Sequence, residues 1–163
     1  MNRLRSLFAT AALGLGLAAL APAPAAATWS VIAVDRATGR VVISSATCVA
    51  QARFERFPAL GLMDIQAIVV PGMGVAAAQA GVDNTRANQM LIFEGLQQGV
   101  HPGRILTDLK NDSAIERRQF GIVDLEGRFV GFSGHENGAA SLAQQGRVPG
   151  TEIYYSIQGN ILA

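Results

Sequence analysis

Short apolar runs arrive in pairs along this sequence, each pair split by turn residues. Trp29 to Val34 is followed by Asp35-Arg36-Ala37-Thr38-Gly39, then by Arg40 to Ala46 with Val41-Val42-Ile43 at its centre. Runs of this length and composition read as strands, and the residues between them as a turn in which Gly39 supplies a positive φ. Asp64 to Val70 and Val75 to Gln79 repeat the pattern around Pro71-Gly72-Met73-Gly74. Gln119 to Asp124 and Arg128 to Ser133 repeat it around Leu125-Glu126-Gly127. Strands joined by so few residues run antiparallel.

Between the second and third pairs the period changes. Asn84 to Gln98 reads as a helix capped by Asp83 or Asn84 and ended by Gly99, with Ala87, Met90, Leu91 and Phe93 as its more apolar face. A second helix spans about 101–110, with Pro102 in its first turn and an apolar edge of Ile105, Leu106 and Leu109. Residues 47–63 read as a loop or short helix. Residues 134–151, with several glycines and Pro149, read as a long loop. Glu152 to Gln158 reads as a last strand. Grouped strands around a helical pair give an α+β layered domain rather than alternating βαβ units, with both helices on one outer face.

Residues 1–27 have the parts of a secretory signal peptide. Arg3 and Arg5 supply a positive start, Leu7 to Leu20 an apolar stretch, and Ala21-Pro22-Ala23-Pro24-Ala25-Ala26-Ala27 a small-residue exit with an A-x-A pattern. The apolar stretch is short for a membrane span of about 20 residues. A cut after Ala27 leaves 28–163 as one domain in the periplasm or secreted, with no membrane attachment. That portion holds 11 basic and 12 acidic residues and no basic stripe, which argues against nucleic acid and anionic membranes as partners. Half the chain is hydrophobic although aromatics are only 6%, so Ala, Val, Ile, Leu and 18 Gly build the core. Cys48 is the single cysteine, which excludes an internal disulfide; a buried structural thiol is its simplest reading.

The same cut frees a threonine at the new N-terminus. Thr28 would carry a hydroxyl and an α-amine on one residue, and the amine can take the proton of an otherwise poor nucleophile. An α-amine has a pKa of about 7.7–8.0, so part of it is neutral base near neutral pH. The plain alternative is that a signal peptidase must cut before some residue, and threonine is a common one. Ser44 and Ser45 lie late on the strand paired with that of Thr28, so one of them is expected to neighbour it. Gln79 and Asn160, like Gln158 and Asn84, are carboxamides able to donate to an oxyanion without changing charge. The plain alternatives are that Gly159-Asn160 is a turn after the last strand and that the strand serines are merely tolerated polar positions.

Other motifs weigh less. Gly72-Met73-Gly74-Val75-Ala76-Ala77 fits GxGxxA, but a dinucleotide site needs a helix opening at the glycines, and a turn between two strands fits better. His101 and His135 have no metal-ligand spacing, and no Cys/His cluster accompanies them; no cofactor is called for.

Four stretches carry a family resemblance: Thr28-Trp29-Ser30-Val31-Ile32-Ala33-Val34-Asp35, Gly74-Val75-Ala76-Ala77-Ala78-Gln79-Ala80-Gly81, Gln119-Phe120-Gly121-Ile122-Val123-Asp124 and Tyr155-Ser156-Ile157-Gln158-Gly159-Asn160-Ile161-Leu162-Ala163. In order and over essentially all of 28–163, they resemble the exported branch of domain of unknown function 1028. The resemblance implies an Ntn-hydrolase-like αββα sandwich of largely antiparallel sheets with an N-terminal Thr as candidate nucleophile. The resemblance is not specific for reaction; read with the residues above, it leads to an expected amidohydrolase acting on a small-molecule or peptide amide, with Thr28 as nucleophile and base and Ser45, Gln79 or Asn160 supplying oxyanion or amine-orienting hydrogen bonds. A non-catalytic periplasmic binding or assembly module on the same fold is the alternative. Relatives run on past the Gln-Gly-Asn-Ile-Leu-Ala motif into further helices. A chain ending at Ala163 is therefore expected to lack the second helical layer and to expose a sheet face that a second copy could cover as a homo-oligomer.

Overall fold

The computed structural model describes residues 27–56, 59–138 and 140–161; the leader expected over residues 1–27 falls, but for Ala27, outside them. The strands are β1 (Thr28–Asp35), β2 (Arg40–Thr47), β3 (Ala67–Val70), β4 (Gly74–Ala80), β5 (Arg118–Asp124), β6 (Phe129–Ser133), β7 (Leu142–Arg147) and β8 (Ile153–Asn160). The helices are α1 (Leu62–Gln66), α2 (Ala87–Gln97) and α3 (Pro102–Leu109), with 3₁₀ segments at Gln51–Arg56 and Ile115–Arg117. Two four-stranded sheets result, ordered β2-β1-β8-β7 and β3-β4-β5-β6, with every pairing antiparallel. The α+β class, the antiparallel sheets and the stacked arrangement expected from the sequence are all present.

Side-chain alternation assigns each sheet face. On β4, Ala76 and Ala78 point toward the helices, while Val75, Ala77 and Gln79 point toward the other sheet. β5 divides the same way, Phe120 and Ile122 against Gln119 and Val123. The first face packs under Ile92 and Leu96 of α2 and Ile105 and Leu109 of α3, so both helices lie on one outer face. The second face meets Ile32 and Val34 of β1 to form the core between the sheets. β4 is buried along almost its entire length, and its alanines keep it thin enough to be covered on both sides. On the outer face of the β2-β1-β8-β7 sheet, Trp29, Val42, Leu142 and Ile157 remain substantially exposed.

Some local expectations fail for identifiable reasons. Asp64 to Gln66 is helical, not strand: Asp64 accepts the Leu60 N–H at 3.1 Å and pairs with Arg86 at 3.0 Å, which holds a helical turn ahead of β3. Leu142–Arg147, read as loop, is a strand, because β8 supplies a full antiparallel partner to a segment with little β propensity of its own. The buried stripe of α2 is Asn88, Ile92 and Leu96, while Met90 is half exposed. Asn88 is tolerated inside because its amide donates to Asp112 at 2.7 Å. α2 starts at Ala87, later than the Asn84 start read from the sequence, because Arg86 before it is held in the left-handed region at φ 61° and gives no side-chain cap; the other helix ends behave as read. Asp83 accepts the Asn88 N–H at 2.9 Å, Gly99 takes φ 69°, and Pro102 opens α3 with His101 accepting the Gly103 N–H. Gly72 and Gly74 belong to the β3–β4 turn region, with no helix opening there.

Candidate functional site

Antiparallel register brings the ends of three strands together around Thr28. It stands opposite Thr47 of β2 on one side and Asn160 of β8 on the other. The Thr28 and Thr47 hydroxyls are 2.7 Å apart. Ser45, expected next to Thr28, instead faces Ser30, two residues further into the sheet. Ser44 pairs with Val31 and points to the other face. The displacement has a simple cause: the hairpin closes at Asp35 and Arg40, and that closing pair fixes Thr47 opposite Thr28. The Ser45 hydroxyl is buried and has no hydrogen-bond partner.

Beneath Thr28 the space between the sheets turns polar. Ser30, Gln79, Gln119, Ser156, Gln158 and Asn160 are all buried. Ser156 Oγ donates to Gln158 Oε1 at 3.0 Å, and Gln158 Nε2 donates to Ser30 Oγ at 2.7 Å. Ser30 Oγ donates to Gln79 Oε1 at 2.6 Å, and Gln79 Nε2 donates to Gln119 Oε1 at 2.6 Å. Asn160 Nδ2 reaches the same Gln119 oxygen at 3.2 Å. Gln119 Nε2 in turn donates to the carbonyls of Gly159 and Leu142 and to Ser133 Oγ, at 2.9, 3.0 and 3.0 Å. A buried carboxamide is costly only when unpaired, so a chain in which each group has partners can occupy a core and fix its geometry. The layer touches the candidate residue through a longer contact, Gln79 Nε2 to Thr28 O at 3.4 Å. Gln79 and Asn160, both singled out from the sequence, thus belong to one network.

Gly121 makes room for this layer. A Cβ there would fall 2.2 Å from Gln158 Oε1 and 2.7 Å from Ser156 Oγ. At the rim, the residues after Gln79 and Asn160 are bent into the left-handed region, Ala80 at φ 70° and Ile161 at φ 51°. Non-glycine residues held there store about 1–2 kcal/mol each and gather at functional sites.

Two open clefts of about 370 Å³ each meet at Thr28. Phe54, Leu62, Ile65 and Val82 wall the first; Cys48, Ala50 and Ile161 wall the second; Val49 and Arg53 border both. Cys48 is exposed, not buried: β2 ends at Thr47, and the Cys48 N–H bonds out to the Ala27 carbonyl at 3.0 Å. His101 serves as a helix cap, and His135 sits 2.7 Å from Glu116; neither lines a cleft at Thr28.

Residues 28–163 match the family of unknown function DUF1028. The chain belongs to the DUF1028 family. No curated protein matches it. Among solved structures, the chain is similar to protein SPO2555 from Silicibacter pomeroyi, itself assigned to DUF1028, with a TM-score of 0.65 and 22% sequence identity. The alignment covers 84% of this chain and 56% of that one, so the DUF1028 chain described here spans a little over half of its neighbour's length.

Sequence reasoning missed Thr47, Gln119, Ser30 and Arg53. Ser30 and Thr47 leave a period-two signal: polar residues at Thr28 and Ser30, at Ser45 and Thr47, and at Ser156, Gln158 and Asn160 recur on one face of their strands, whereas Gln119 stands alone on its face of β5. Arg53 leaves no such signal, because its place follows from how the loop after β2 folds over the strand ends.

Proposed function

We propose that this protein is an N-terminal-nucleophile amidohydrolase with an Ntn-hydrolase-like sandwich, exported to the periplasm or beyond, in which removal of residues 1–27 exposes Thr28. The observation that carries the proposal is the position of Thr28: first residue of a central strand, hydroxyl hydrogen-bonded to Thr47, and bordering two clefts at once. In the reaction, the Thr28 hydroxyl attacks the amide carbonyl while its proton passes to the Thr28 amine. The amine returns that proton to the departing nitrogen, and water then cleaves the acyl ester. Thr47 orients the hydroxyl. Gln79 holds the Thr28 carbonyl, Asn160 anchors the strand end through Gln119, and the unpaired Ser45 hydroxyl supplies a further donor on the same face. Of these groups the Ser45 hydroxyl is the one not already paired within the protein, and it is neutral, as suits stabilisation of a developing oxyanion without a competing titration.

Intact-mass measurement of the exported protein should give a chain beginning at Thr28. Thr28→Ala should lower hydrolysis of a small-amide and peptide panel by about 10³-fold or more, while Thr28→Ser retains part of it. One extra residue placed before Thr28 keeps the hydroxyl and converts the amine to an amide, so it should be nearly as harmful as Thr28→Ala. Undiminished hydrolysis by that extended chain sinks the mechanism.

A further inference from the structure

The cleft walled by Phe54 and Ile65 is apolar except for a few groups, and two of these ask for a ligand. Gln66 is 4% exposed and its Oε1 has no hydrogen-bond partner. A buried amide oxygen left unpaired costs about 1–3 kcal/mol, and Gln66 is a residue that lines the cleft, so a turn of its side chain toward a ligand N–H would give that oxygen its partner. Arg53 projects from the Gln51–Arg56 turn, is exposed, and borders both clefts at Thr28. Its guanidinium makes no ion pair among the described residues, although most other arginines do.

A guanidinium fork matches a carboxylate in two parallel hydrogen bonds. Phosphate sites add a nest of backbone N–H groups or the start of a long helix, and here a single cation stands against apolar walls. The volume, about 370 Å³, lies at the low end for ligand pockets and suits one residue-sized group rather than an extended peptide.

We infer that this cleft takes a small amide bearing a free carboxylate, such as an N-acyl amino acid or the last residue of a short peptide. Its apolar side group lies against Phe54 and Ile65, its N–H meets Gln66 Oε1, and its carboxylate meets Arg53. The assignment of such a compound as substrate rests on the Thr28 reading; its binding does not.

N-Acetyl-L-leucine and N-acetyl-L-leucinamide differ in the carboxylate alone and serve as probes. Calorimetric titration of the purified chain, its N-terminal residue fixed by mass, should show the acid binding at least about tenfold more tightly than the amide, the scale of a charge-assisted pair. Arg53→Met should bring the two affinities together, and Gln66→Leu should weaken both probes about equally. Equal binding of both probes, no binding of either, or a preference that survives Arg53→Met overturns the inference. So does tighter binding of the phosphonate analogue than of the acid. Gln66→Leu that leaves both affinities unchanged removes Gln66 from the site and overturns the inference as stated. Release of free leucine is followed separately. Carboxylate-selective binding with no release would defeat the Thr28 mechanism and leave this inference standing; release without carboxylate preference would do the reverse.

Discussion

At the scale of single residues, the polar layer under Thr28 depends on what is small as much as on what is polar. Gly121 lies in the middle of a buried strand, where glycine ordinarily weakens a sheet. Its absent side chain is the space that Gln158 and Ser156 occupy. Gly121→Ala should therefore destabilise by about 2 kcal/mol or more, because the layer must shift or break a buried hydrogen bond. A urea-midpoint measurement checks it, and an unchanged midpoint would mean the amide layer is looser than drawn. Ala80 presents the opposite case. Its φ of 70° suits glycine, so Ala80→Gly should raise stability by about 1 kcal/mol, read as a higher thermal midpoint. Because Ala80 follows Gln79 and lines the first cleft, the same change should loosen the Gln79 contact with Thr28.

At the scale of elements, legibility follows the source of each element's stability. The hairpins β1–β2, β3–β4 and β5–β6 are local: their turns and apolar runs sit side by side in sequence, and they could be read there. So could α3, whose edge of Ile105 and Leu109 is buried as its spacing requires. β7 could not, since Leu142-Ala143-Gln144-Gln145-Gly146-Arg147 has little intrinsic preference and is a strand only because β8 is beside it. The candidate site divides the same way. Thr28 and Gln79 stand at strand ends that sequence patterning located, whereas Asn160, read as lying in a turn beyond Gln158, is the last residue of β8 because β1 pairs with it. The exact partners do not follow from patterning, because a register depends on the closing turn and a hydrogen-bond network on the packing of two sheets. Gln119 joins these strands: it contacts Gln79 and Asn160 and holds two carbonyls, those of Leu142 in β7 and Gly159 in β8. Gln119→Leu should cost about 3 kcal/mol through the partners it strands, with hydrogen exchange rising first at the ends of β7 and β8. Exchange rising instead across the helical face would show that the layer is not what ties these ends together.

At the scale of the molecule, one ionic cluster joins the helical layer to the sheet beneath it. Asp112, after α3, accepts from Asn88 of α2 at 2.7 Å and from Arg118 of β5 at 2.8 Å, and Arg118 also holds the Gly81 carbonyl at the end of β4. Burial pushes the Asp112 carboxyl up, but the Arg118 guanidinium, the Asn88 amide and the Ala114 N–H outweigh it and lower its pKa to about 2 from the usual 3.8. The folded state thus releases this proton more readily than the unfolded chain does. The resulting stability is fully present above about pH 3.8 and is lost as pH falls toward 2. Both side chains are largely buried, so the contribution is about 2 kcal/mol. Urea midpoints measured between pH 2 and 6 should fall across that window, and Asp112→Asn should flatten part of the fall. An equally steep acid limb in Asp112→Asn would assign it to other carboxylates, such as Asp83.

Hydroxyls and carboxamides are the only side chains in the layer beneath Thr28, and none of them changes protonation over the range in which proteins stay folded. The proton inventory of the proposed reaction is correspondingly short. Rate against pH should climb along one limb, governed by a single amine near pH 8, and then level off rather than descend, since among the described residues no carboxyl group lines either cleft. Cys48→Ser, which removes the exposed thiol from the wall of the second cleft, should leave the limb where it is. An interior assembled from uncharged amides would in this way make the first atom of the working chain its only switch.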